Sequence, residues 1–273
     1  MTHRNFLQAS IKWLARCSAV ALALLAGPFT LLISSDVRGL EWWNAPRNVT
    51  GLAPAPAIHP DALVQVYAAR AFKWRGAFGV HTWIATKRAN ASQYTVYEVI
   101  GWQARRGLPA LAIHNEAPDR QWFGNTPEVI AQLRGSAAET AIGKIDAAAR
   151  AYPYRDVYTL WPGPNSNTFT AWIGRAVPEL KLDLPPTAIG KDWLDITKGD
   201  FAAATPSGTG YQLSLAGVLG VLVSIEEGLE LNIAGLTVGL DPLDLAVKLP
   251  GIGRLGGNGS TVPPPAVAAT AQR

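Results

Sequence analysis

With a single cysteine, Cys17, the chain can form no internal disulfide. That cysteine lies in an apolar N-terminal stretch, so the remaining sequence also lacks a thiol nucleophile and any Cys-x-x-Cys zinc site. Charge is scarce as well, at 16% of 273 residues, below the roughly 25% of an ordinary soluble domain. The net charge of +4 is small, and the cations are scattered apart from pairs such as Lys87-Arg88 and Arg105-Arg106. Nothing here has the density of a nucleic-acid-binding surface, and that class is excluded. The four histidines, His3, His59, His81 and His114, stand far apart without i, i+4 spacing, so neither a metal site nor a cofactor is read from them.

What is abundant is apolar. Ten tryptophans accompany one methionine, and 48% of the residues are hydrophobic. Residues 17–35, "CSAVALALLAGPFTLLISS", carry no charge and are just long enough to cross a bilayer as a helix. Arg4, Lys12 and Arg16 precede the run, which puts the N-terminus in the cytoplasm and the rest outside. Trp42 and Trp43 follow at a depth suited to an interfacial aromatic belt. A cleaved signal peptide is the rival, but "LISSD" offers Ile33 where a small residue is preferred. An uncleaved signal anchor is the favoured reading, with the cytoplasmic membrane as its partner and the main domain outside.

The order of segments then predicts an anchor over 1–36, a Pro/Ala-rich spacer over 37–60, an α+β domain over 61–210, a Gly-rich β extension over 211–255 and a disordered tail over 256–273. Strands are expected at "ALVQVYAAR", "FGVHTWIATK", "YTVYEVIGW" and "ALAIHN". Thr126-Pro127-Glu128 reads as a helix start, and Ser136 with Glu139 as a capping box for a second helix. Trp83 and Trp172 are expected to bury against one another. In the extension, Leu229, Leu231 and Ile233 alternate with polar positions, as in a strand. "LAGVLGVLV" (215–223) is too short to span a membrane, and reads either as a buried strand or as a hairpin touching the bilayer surface.

One motif asks for chemistry. In "WPGPNSNTF" (161–169) a serine stands between two asparagines at the start of a helix whose apolar face is Phe169, Trp172, Ile173 and Ala176. Asn165, Ser166 and Asn167 are all good capping residues, so a plain helix start is one reading. The other is a nucleophile at a helix N-terminus, where free N–H groups stabilise negative charge. His81 is the histidine within a predicted strand, whereas His114 stands at a strand end and is expected to be solvated or structurally bonded.

The order of histidine strand, partner strand, helices and Asn-Ser-Asn start resembles the circularly permuted papain-like proteins, across roughly residues 65–180. That group includes the NlpC/P60 peptidases and the lecithin:retinol acyltransferase-like enzymes, and "GPNSNTF" looks like their Asn-Cys motif with serine in place of cysteine. More closely, "HTWIATK", "PGPNSNTF", "AIGKDW" and "GLELNIAGLTVGLDPLDLAVKLPGIGRLG" resemble an uncharacterised bacterial family, domain of unknown function 3750. The papain-like resemblance implies an α+β antiparallel sheet with helices, Ser166 as nucleophile and His81 as general base. Asn165 and Asn167 would shape an oxyanion site. A polar group on strand 94–102 would orient His81, Tyr97 or Glu98 according to a one-residue register choice, with Glu98 preferred. The implied activity is a serine-dependent amide or ester hydrolase or acyl transferase acting on peptide, cell-wall or lipid material of the envelope. The alternative is an inactive relative that binds a ligand or partner.

The charge asymmetry makes a direct test of topology available. A reporter active only outside the cytoplasm, fused after residue 60, is expected to be active, with a cytoplasmic reporter at the same point silent. The opposite pattern would overturn the orientation.

Overall fold

In the computed structural model, residues 3–33 and 41–257 are described, with the backbone alone for residues 3–9. The disordered tail expected over 256–273 lies, beyond residue 257, outside the described residues. Helix α1 (His3–Ile33) includes the stretch Ser10–Ile33, long and apolar enough to cross a membrane. A five-stranded antiparallel sheet follows, built from β1 (Leu63–Arg70), β2 (Val80–Lys87), β3 (Thr95–Val99), β4 (Leu111–Asn115) and β5 (Glu128–Arg134). Its strand order is β4-β3-β2-β1-β5, and a short helix α2 (Gly101–Ala104) joins β3 to β4. Helices α3 (Gly135–Arg150) and α4 (Ser166–Ala176) cover one face.

Strand alternation divides the core in two. Val64, Val66, Ile84, Tyr97 and Val99 point at the helices and pack with Ile142, Ile145, Phe169 and Ile173. Leu63, Tyr67, Trp83, Ala85 and Val96 point the other way, where Leu52, Ala53 and Trp122 cover them. The expected meeting of Trp83 and Trp172 therefore does not occur, because Trp172 packs with the helix-side cluster and donates to the Ala148 carbonyl.

Two further expectations are corrected. The helix expected from Thr126 is strand β5, which completes the free edge of β1 with Val66 opposite Ala131 and a bulge beside it. The β-branched pair Val129-Ile130 suits that role, and tertiary pairing overrides the helix-like start signal. The Ser136–Glu139 capping box is absent because the N-cap of α3 is Arg134, two residues before Ser136, and Glu139 instead accepts bonds from Arg88 and the Ala89 N–H. The segment expected as a Pro/Ala-rich spacer makes contact with the domain. The buried carboxylate of Asp119 accepts from the Leu52 N–H at 2.8 Å, and Tyr94 donates to the Pro54 carbonyl.

The second sheet is a meander of β6 (Ala202–Ala204), β7 (Gly210–Leu215), β8 (Leu219–Ser224), β9 (Gly228–Ile233), β10 (Leu236–Asp241), β11 (Ala246–Leu249) and β12 (Gly253–Gly256), each paired with its sequence neighbour. "LAGVLGVLV" is thus the end of β7, a turn at 216–218 and most of β8, and its larger apolar side chains are exposed except Leu222, so the strand is present but not buried. The sheet's polar face is the buried one. Lys248 Nζ lies 2.6 Å from Asp183 and 2.8 Å from Glu230, and Lys191 meets Glu230 at 2.7 Å. Burial works against the Lys248 charge, but Glu230 and Asp183 outweigh it and hold its ammonium above the ordinary range.

This ion cluster joins β9 and β11 to the segment after α4, so losing its centre should be costly. Lys248→Met leaves two carboxylates short of a buried partner and is expected to destabilise the full chain by about 3–5 kcal/mol. The measurement is the urea midpoint in detergent. A midpoint unchanged from wild type would mean that the cluster does not hold the sheet in place.

Candidate functional site

Helix α4 starts where the Asn-Ser-Asn motif requires, but the roles within it differ from those of a nucleophile site. Asn165 is the N-cap, accepting from the Asn167 N–H at 2.9 Å and the Thr168 N–H at 3.3 Å. Thr168 Oγ1 accepts in return from the Asn165 N–H, completing a capping box. The Asn165 amide also donates to the Leu160 and Ile189 carbonyls. The Asn167 N–H, at the expected oxyanion site, is thus already used by the cap. The Asn167 side chain is used too, donating to the Val80 and Ile189 carbonyls and accepting from Thr82. Ser166 is 3% exposed.

The residue of β2 that meets α4 is Thr82. Its hydroxyl lies 2.9 Å from Asn167 Oδ1, 2.9 Å from Thr170 Oγ1 and 3.4 Å from the Ser166 carbonyl. His81 is its neighbour and faces the opposite side of the sheet, as strand geometry demands. There its ring stacks on Trp122 with centroids 3.7 Å apart, and lies 5.5 Å from Trp83. Among the described residues no hydrogen bond joins Ser166 to a histidine. The structure does not bring the expected nucleophile and base together.

His81 does meet a carboxylate. Its Nε2 lies 3.2 Å from Glu98 Oε2, and both side chains are buried. The register pairs Ile84 with Tyr97, which places Glu98 on the His81 face. Tyr97 goes to the helix side, where its hydroxyl approaches Asp146 at 3.4 Å. The other Glu98 oxygen lies 3.4 Å from His114 Nε2, brought alongside by β4. His114 in turn bonds Glu116 at 2.5 Å, and Arg120 also pairs with Glu116. The chain running through Pro118 to Trp122 closes over this row and is held by the Trp83 indole, which donates to the Pro118 carbonyl at 2.8 Å.

One ligand atom each from Glu98, His114 and Glu116 lies within 4.8 Å of the others, a grouping that could hold a cation. The hydrogen bond to Glu116 raises the His114 pKa above its ordinary 6.5, with the nearby Glu98 adding to the effect and burial opposing it. For Glu116, burial pushes upward, but His114 and Arg120 together bring it below the usual carboxylate range. Sequence reasoning named His81, Glu98 and His114 but not Glu116, Arg120 or Trp122. The "His-x-Glu" spacing at 114 and 116, at the end of a predicted strand, was the available signal.

Residues 61–193 match the family model described as protein of unknown function (DUF3750). This stretch belongs to that family. It contains β1 to β5, α3 and α4, hence both the Asn-Ser-Asn helix start and the His–Glu row, whereas α1 and the second sheet lie outside it. No curated protein and no solved structure matches the chain.

The His114–Glu116 pair gives the DUF3750 domain a pH dependence whose sign is fixed. A histidine raised in the folded state contributes stability that is complete below its unfolded pKa of about 6.5 and fades as pH rises through the higher folded value. The His114 ring resonances should titrate above 6.5, and Glu116→Gln should move the midpoint down. A midpoint indifferent to Glu116→Gln would overturn the assignment of cause.

Proposed function

We propose that this chain is a membrane-anchored, catalytically inactive relative of the permuted papain-like proteins, one that binds a divalent cation through its His–Glu row. The observation that carries the reading is the convergence of Glu98, His114 and Glu116 within 4.8 Å on β3, β4 and the turn after them. Two carboxylates and one imidazole suit Zn²⁺ or Mn²⁺. His81 supports the same reading from behind, since its bond to Glu98 fixes how that carboxylate is presented. Arg120 is the competitor: its guanidinium pairs with Glu116 and must give way when a cation binds.

The serine hydrolase reading is the one we set aside. It needs a base beside Ser166 and open N–H groups at the helix start, and Thr82 and the Asn165 cap occupy those places. Anchoring rests on α1, whose length and composition fit a bilayer span. The element order supports the papain-like part of the reading, and the charge asymmetry supports placement outside the cytoplasm.

Calorimetric titration of the full chain in detergent with Zn²⁺ and with Mn²⁺ tests the cation site. Binding of at least one of them is expected, abolished by Glu98→Gln and weakened about 10- to 100-fold by His81→Gln. Arg120→Gln should tighten it, which no general loss of folding would produce. Absence of binding by the wild-type chain and by Arg120→Gln would refute the site. A serine-directed phosphonate is expected to leave Ser166 unlabelled, and labelling there would restore the hydrolase.

A further inference from the structure

The second sheet is built with its apolar face outward. Along β7 to β11 the inward positions include Gln212, Ser214, Glu230, Asn232 and Lys248, all buried against the rest of the chain. The outward positions are aliphatic, and the strand register sets them side by side. Val223 lies opposite Leu229, Leu229 opposite Leu240, and Leu240 opposite Val247, with Val221 and Leu231 in the next row. Each of these six is at least 38% exposed. The polar face is committed to the Lys191–Glu230–Lys248–Asp183 ions, so the sheet has no way to turn the apolar side inward.

The place of this sheet beside α1 says what covers it. The turn Pro250–Ile252, which leaves β11, packs directly on α1. A side chain at Gly27 would meet the Pro250 carbonyl, and one at Gly251 would meet Pro28. Arg70 ties the same turn to β1 by donating to the Gly251 and Ile252 carbonyls. Gly27 stands six residues before the end of the apolar stretch at Ile33, about 9 Å along a helix axis. A turn seated there lies below the headgroups, within the acyl-chain layer of the outer leaflet, when α1 spans a bilayer. Trp42, Trp43 and Trp74, all largely exposed, add aromatic rings of the kind that collect at the headgroup boundary. The helical turn Lys73–Ala77 that carries Trp74 is itself packed on α1.

We propose that the outward face of β7 to β11 lies flat on the bilayer and buries its aliphatic side chains among the lipid acyl chains. The proposal rests on the reading of α1 as a membrane-spanning helix. Depth is limited by the open edges at β6 and β12, whose unpaired backbone groups need water or headgroups. The sheet therefore floats at the interface rather than crossing it.

Spin labels on the full chain in phosphatidylcholine vesicles test this. Cys17, the native cysteine, reports on α1, and Leu231→Cys, Val221→Cys and Lys144→Cys are made in a Cys17→Ser background. Labels at 17, 231 and 221 are expected to be accessible to lipid-soluble oxygen and shielded from an aqueous nickel chelate, with the reverse at 144. Aqueous exposure at 231 and 221 with lipid exposure at 17 would overturn the proposal while leaving the anchor intact. Aqueous exposure at 17 would remove the anchor and the proposal together. Labels at 231 shielded from both reagents, with broadening relieved by dilution into unlabelled protein, would put a second copy on this face instead of lipid.

Discussion

Adjacent residues of a strand point to opposite faces, and that constraint at His81 and Thr82 governs how the domain's chemistry is arranged. Thr82 holds the start of α4 through Asn167 and Thr170, so His81 can only face the other way. The Asn-Ser-Asn motif becomes a fastening between β2, α4 and the Ile189 carbonyl, with every amide group committed. The imidazole becomes part of an aromatic and carboxylate layer with Trp83, Trp122 and Glu98. A one-residue slip of β2 would exchange the two faces. It would also drive Trp83 into the helices and Ile84 toward the loop, so packing on both sides resists it.

The same alternation in the second sheet is locked by charge rather than by hydrophobic burial. Glu230 lies between Lys191 and Lys248, and its carboxyl stays below the usual range because those two ammonium groups offset the penalty of burial. Asp183 also pairs with Arg254, which reaches Asp241 at 2.8 Å. Arg175 extends the polar contact from α4 to Gln212, and its burial lowers its pKa to about 10. Buried ion pairs like these are poor contributors of net stability compared with apolar packing. They are effective at orientation, since reversing the sheet would leave Lys191 and Asp183 without the sheet ions that pair with them.

How much of this could be read from the sequence differed by element. The alternation of β9 was plain in Leu229, Leu231 and Ile233, and so was the strand character of β1, β2 and β4. Which face of β9 is buried was not plain, because the deciding partners, Lys191 and Asp183, come from an irregular segment with no periodicity of its own. Strand β5 was hidden by a genuine helix-start signal at Thr126-Pro127-Glu128, and only the waiting edge of β1 overrules it. In the candidate site the His81–Glu98 contact followed from the choice of register. Arg120 and Trp122 arrive on a loop pinned by Asp119, which no local pattern connects to β2.

The outward apolar face also weighs on stability. Eleven side chains from Tyr211 to Leu255 lie on it at 38% exposure or more. Even at about 1 kcal/mol each, well under the value of full burial, they leave roughly 10 kcal/mol of transfer free energy unrealised in water. That is comparable to the whole net stability of a typical domain. A surface of this size is rare on a soluble monomer and marks contact with an apolar partner. The helix α1 meets the sheet at Pro250–Ile252, so the solvent that would accept α1 lies within reach of the same face. The polar interior and the apolar exterior of this sheet are then two consequences of the proposed placement, in which ions hold it to the domain on one side and lipid receives it on the other.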